Sequence, residues 1–143
     1  MIAIDTNILV YAHRKDSEWH KPALKSIIEL ASSGNPWGIP WPCVHEFLSI
    51  TTHPKIYSPP TPTKTAIDAI KQWQKVPSCR MLAEGPDYFT ILERLLTKSK
   101  ARGPMIHDAR IAALCVHHGV KKLWTADRDF SRFSDLKCEN PLC

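Results

Sequence analysis

The chain has only five glycines in 143 residues, and none builds the glycine-rich loop that cradles a phosphate or the G-x-S-x-G elbow that exposes a nucleophilic serine. P-loop phosphate chemistry and serine-hydrolase chemistry are therefore set aside. No C-x-x-C pair occurs either. The five cysteines, Cys43, Cys79, Cys115, Cys138 and Cys143, are odd in number and widely scattered. Free thiols in a reducing cytosol are the simplest account of them. Only Cys138 and Cys143 stand near each other in sequence, and two independent thiols are a simpler reading than a pair or a metal site. No stretch of about 18 apolar residues runs together, so no membrane span is expected. Met1 leads at once into Ile-Ala-Ile-Asp without a basic leader, and a cytoplasmic location is expected. There is no internal repeat and no low-complexity tract.

What is present is ordinary for a globular domain. Apolar residues make up 43% of the chain, and residues 1–143 read as a single domain. The formal charge is +5, a mild excess that suits a nucleic-acid partner but is shared by many proteins without one.

The periodicities alternate between strand and helix. Met1–Ile4 is apolar on both faces, as a strand buried between two layers must be. A short helix is expected from Ile8 to Ala12, with Thr6 or Asn7 as its N-cap. A second helix covers about His20–Ala31, followed by a short strand at Trp37–Pro40. Pro42 to about Thr51 reads as a helix carrying Glu46. His53–Pro62 is a proline-rich loop. Thr63–Val76 is helical, with Ala66, Ile67, Ile70 and Trp73 as its apolar stripe. Cys79–Leu82 reads as a strand, and Pro86–Lys98 as a helix with Phe89, Leu92, Leu95 and Leu96 inward. After a basic loop, Met105–His118 is a helix closed by Gly119. Leu123–Thr125 is a strand, and a last one is expected near Leu136–Cys138. The alternation predicts a three-layer α/β/α fold with a mostly parallel central sheet.

Four sites place an acid where packing alone would not want one. Asp5 ends the first strand, on the side where open α/β sheets bind ligands; an N-cap is its competing role. Asp108 has Ile111, Ala112 and Cys115 as same-face helical neighbours. A carboxylate there needs a cation, hydrogen bonds or a proton, although its first-turn position also favours an acid. Glu46 leans toward an apolar face through Cys43 and Ile50. Asp127 and Asp129 follow the fourth strand, where turn chemistry competes. Converging carboxylates suit a hard divalent cation, magnesium or manganese. Basic residues flank two of the acids: Arg94, Lys98, Lys100, Arg102 and Arg110 about Asp108, and Lys121, Lys122, Arg128 and Arg132 about Asp127. Such residues position a phosphate backbone without reading its sequence. Arg102, Arg110 and Arg128 are the candidate nucleic-acid contacts. His45 and His107 point to other helix faces than their acidic neighbours, and His117–His118 suit a helix C-terminus better than zinc.

Ile4-Asp5-Thr6-Asn7-Ile8-Leu9, Glu46 within Val44–Leu48, His107-Asp108-Ala109-Arg110-Ile111-Ala112-Ala113 and Thr125-Ala126-Asp127-Arg128-Asp129-Phe130 together resemble the PIN-domain ribonucleases. The nearest branch is similar to the VapC toxins of bacterial toxin–antitoxin pairs, and the resemblance spans Met1 to about Phe133. It implies a magnesium-dependent endoribonuclease with Asp5 and Asp108 as metal ligands and Glu46 and Asp127 completing the catalytic pocket. Manganese is a plausible substitute for magnesium. Thr6 matches a supporting hydroxyl position, and Asp129 assists or replaces Asp127. It also implies attack of a metal-activated water on a phosphodiester in tRNA or ribosomal RNA, leaving a 5′-phosphate and a 3′-hydroxyl. A homodimer and a cognate antitoxin partner are further implications. Two alternatives stay open: a PIN-type flap nuclease or RNA-processing factor, and a non-catalytic acidic-pocket binding module.

Overall fold

A computed structural model describes all 143 residues. Five short strands form one sheet: β1 (Ile2–Ile4), β2 (Trp37–Pro40), β3 (Cys79–Leu82), β4 (Lys122–Trp124) and β5 (Lys137–Glu139). Their spatial order is β3-β2-β1-β4-β5, and every pairing is parallel. The sheet is thus wholly rather than mostly parallel. Six α-helices connect the strands: α1 (Thr6–His13), α2 (His20–Ser32), α3 (Trp41–Thr51), α4 (Thr63–Gln74), α5 (Tyr88–Ser99) and α6 (Met105–His117).

Successive residues of a strand point to opposite faces. All four residues of β2 are buried, so both faces of the sheet centre are covered, as the α/β/α expectation requires. The core runs from Ala3 and Ile4 through Trp37, Ile39, Phe47 and Ile111 to Leu123, Phe130 and Phe133, all essentially inaccessible. Gly38 is required there by space. A Cβ at that position would stand 2.9 Å from the Leu82 side chain on the neighbouring strand.

The structure corrects five local expectations. The N-cap of α1 is Asp5, not Thr6 or Asn7; its carboxylate accepts from the Thr6 amide. Phe89 is 71% exposed. The inner face of α5 is carried by Tyr88, Ile91, Leu92, Leu95 and Leu96, so of the expected stripe only Phe89, one residue into the helix, turns outward. Ile67 on α4 likewise faces outward, while Ala66 and Ile70 are buried and Trp73 packs edge-on against Phe47. His118 spends its ring on the carbonyl of Ala83, 2.7 Å away, rather than on the end of its own helix. A 3-10 turn at Arg128–Arg132, absent from the periodicity reading, follows β4 and buries Phe130.

The topology positions the site. From β1 the chain builds outward to β2 and β3 on one side; β4 and β5 add on the other. Connections on either side of the β1–β4 pair run in opposite directions, so a crevice opens at their carboxyl ends. Asp5 follows β1 and Thr125–Asp127 follows β4, which places both at that crevice.

Candidate metal centre

Three carboxylates converge at the crevice. Oxygens of Asp108, Asp127 and Asp129 lie within 4.8 Å of one another. Asp108 comes from the first turn of α6. Asp127 caps the 3-10 turn, its Oδ1 accepting the Asp129 amide at 2.8 Å, and this bond folds the two acids toward Asp108. Both candidates for the fourth acid therefore stand in the same group. Asp108 is half-buried, and burial together with the charges of Asp127, Asp129 and Glu46 holds its carboxyl above the usual range; Arg132 partly opposes the shift. Like charges this close repel, and a divalent cation is the natural remedy. Three hard oxygen donors without a thiolate or imidazole suit magnesium or manganese rather than zinc.

Asp5 lies outside that trio and is far more enclosed, 4% exposed. Its Oδ1 accepts from the Thr6 amide at 2.8 Å and from the Cys43 thiol at 3.6 Å. Its Oδ2 accepts from the Thr125 hydroxyl at 2.7 Å and from the Asn7 amide at 3.5 Å. Burial outweighs these bonds and pushes its carboxyl up to about 6, with Glu46 adding to the rise. Glu46 is electrostatically close to both Asp5 and Asp108, and its Oε2 accepts the Thr6 hydroxyl at 3.0 Å. Thr6 thus ties the acid of α3 to the start of α1.

Thr125 and Asn7 join the two halves of the site, a role the motif reading did not assign. The Thr125 hydroxyl donates to Asp5 and accepts from the Asp127 amide at 3.0 Å and from Asn7 at 3.4 Å, which uses its full capacity. Asn7 Oδ1 accepts the Ala126 amide at 3.1 Å. The only advance signal was their place inside the two quoted motifs.

The flanking cations divide. Arg94 and Lys98 both clasp Asp135 at 3.0 Å, Lys122 pairs with Glu139 at 2.7 Å, and Arg132 leans on Asp129 at 3.8 Å. Lys100, Arg102, Lys121 and Arg128 are exposed without a carboxylate partner. Arg110 is half-buried, and its Nε has no hydrogen-bond partner. His45 and His107 are exposed. All five cysteines are free thiols.

A PIN domain family model matches residues 2–136. The chain belongs to the PIN domain family. Among its relatives, ribonuclease VapC48 of Mycobacterium tuberculosis is 31% identical over 140 residues, covering 96% of this chain and 95% of that protein. Ribonuclease VapC43 of the same species is 30% identical, with 99% and 96% covered. Among solved structures, VapBC2 from Rickettsia felis bound to a promoter DNA fragment superposes with a TM-score of 0.68 at 20% identity, covering 98% of each chain. M. tuberculosis VapC20, a sarcin–ricin loop cleaving toxin, superposes at 0.67 with 16% identity, covering 92% and 93%. These two establish the shared α/β/α fold, and the VapC relatives place this PIN domain in the VapC-like branch. No helix is long and apolar enough to cross a membrane.

Proposed function

We propose that the protein is a magnesium-dependent endoribonuclease, the toxin of a VapBC-like toxin–antitoxin pair, built as one PIN domain over residues 1–143. The carboxylate group of Asp108, Asp127 and Asp129 carries this reading, and the naming of its relatives as ribonucleases supports the substrate class. Asp108, Asp127 and Asp129 would hold the ion, with Asp5 as a further ligand once it is ionised. When bound, the ion neutralises charge on a phosphodiester and acidifies water, and manganese substitutes for magnesium.

The chain's own groups do the rest. Asp5, pushed up to about 6 in the metal-free protein, ionises near neutral pH and so becomes available to a cation there. Glu46, held through its Oε2 by the Thr6 hydroxyl, supplies a fifth carboxylate, which orients water. Thr125 fixes the Asp5 and Asp127 sides against each other, so the acids are preorganised. Arg102, Arg110 and Arg128 provide cations for the RNA backbone, with tRNA or ribosomal RNA as substrate. In the cytoplasm the protein works as a homodimer and is silenced by a cognate antitoxin.

Purified protein incubated with total RNA tests the reading. Expected are discrete cuts with added magnesium, none with chelator, and none from a folded Asp108→Asn variant. Intact RNA under every metal condition would overturn the ribonuclease reading, and flap DNA in a parallel incubation would then separate a flap nuclease from a binding module.

A further inference from the structure

Beside the carboxylate group a second feature opens at the carboxyl ends of β4 and β5, a cleft of about 420 Å³. Asp127 belongs to both, and the cleft walls include Arg128, Ser131, Cys138, Asn140 and Cys143. Its volume lies in the range of about 300–1,000 Å³ that suits small ligands and single nucleotides.

Each carboxylate of this cleft has one oxygen committed. Asp127 Oδ1 takes the Asp129 amide. Glu139, also on the wall, pairs with Lys122 at 2.7 Å. Asn140 Oδ1 accepts the Leu142 amide at 3.0 Å, so its NH2 is the part left to bond. Arg128 has no ion pair, and neither its guanidinium nor the Ser131 hydroxyl has an internal hydrogen bond; Arg128 and Ser131 are exposed. The uncommitted donors are thus a guanidinium, an amide NH2 and a hydroxyl, set with two polarizable thiols that suit a flat ring.

Resting on the ribonuclease reading, we infer that this cleft is a base-selecting subsite. It receives the unstacked base of the RNA nucleotide next to the phosphodiester at the carboxylates, and it prefers guanine or uracil over adenine and cytosine. Single-stranded RNA is read through bases splayed out of the stack. Guanine offers O6 and N7 as paired acceptors to a guanidinium, and uracil offers two carbonyls. On the edge that carries those acceptors, adenine and cytosine put an amino donor where guanine and uracil put a carbonyl, and against the guanidinium and the NH2 that donor finds no partner.

The test needs no cleavage. The full chain, isotope-labelled and kept in chelator, is titrated with each of the four 5′-nucleoside monophosphates and followed by NMR. GMP and UMP are expected to move the Arg128, Ser131 and Asn140 amides and to bind about tenfold tighter than AMP, the scale of one good polar contact to a base edge. Asn140→Asp keeps the acceptor for Leu142 while replacing the NH2 by oxygen, and it should turn the order toward AMP and CMP. Short oligoribonucleotides varied at one position should follow the same order as the monophosphates. Equal binding of all four, shifts confined to other residues, an order unmoved by Asn140→Asp, or an order seen with free monophosphates but not with oligomers overturns the subsite. Metal-dependent cutting without any base order removes the subsite and leaves the ribonuclease standing. Base-ordered oligomer binding without cutting does the reverse.

Discussion

Replacing Asp5 by asparagine should stabilise the metal-free protein at neutral pH, and the gain can be sized. The native carboxyl stands at about 6 against an ordinary 3.8, because the residue is enclosed and no cation faces it. A raised acid means that the folded state binds the proton more tightly than the unfolded chain. Its contribution is therefore fully present below about pH 3.8 and is lost as pH rises through about 6. The loss comes to about 3 kcal/mol in all, at 1.36 kcal/mol per unit, and about half of it falls between pH 5 and pH 8. Asparagine cannot charge, so this loss disappears. It keeps one acceptor for the Thr6 amide but offers an NH2 where Thr125 now donates, which costs about 1 kcal/mol. The net expectation in chelator is a variant more stable than the parent by about 1–2 kcal/mol at pH 8, with the advantage shrinking or reversing at pH 5. Urea unfolding of both proteins at the two pH values measures it. The difference between them cancels every other titrating group. A variant less stable than the parent by the same amount at both pH values would refute the argument, since Asp5 would then carry no buried charge to remove. A site that costs stability when empty is the usual signature of a carboxylate retained for function.

Asp108→Asn should leave the fold intact and remove the rise in Tm that magnesium gives the parent, as scanning calorimetry with and without metal would report; an unchanged rise would remove Asp108 from the ion's ligands. Thr125→Val deletes a hydroxyl that makes three bonds, and about 2 kcal/mol of stability should go with it, read as a shifted urea midpoint. Gly38→Ala puts a methyl 2.9 Å from a fully buried Leu82 and should cost about 1–3 kcal/mol by the same measurement; a neutral result would mean that Leu82 has room to move. Lys100 ends α5 in the left-handed region at φ 57°, so Lys100→Gly should stabilise by about 1 kcal/mol in thermal unfolding.

The sequence by itself determined the elements and their order. Apolar periodicity is a local property, and it located all five strands and all six α-helices to within a few residues. It failed where the deciding partner was remote. Phe89 fits an apolar stripe, but the face that α5 buries is set by its packing against α6, and Phe89 ends 71% exposed. The acids were legible as candidates because four motifs stood in the expected order. Their inequality was not. Asp5 sits under four hydrogen bonds, one of them from a residue 120 positions away, while Asp108, Asp127 and Asp129 gather without it. Only the strand order β3-β2-β1-β4-β5 lays the end of β4 beside the end of β1, and so decides which carboxylates meet, which is buried and which cations are left free. Spacing along a chain encodes which face of an element a residue occupies; the distance between two acids on different elements exists only once those elements have packed.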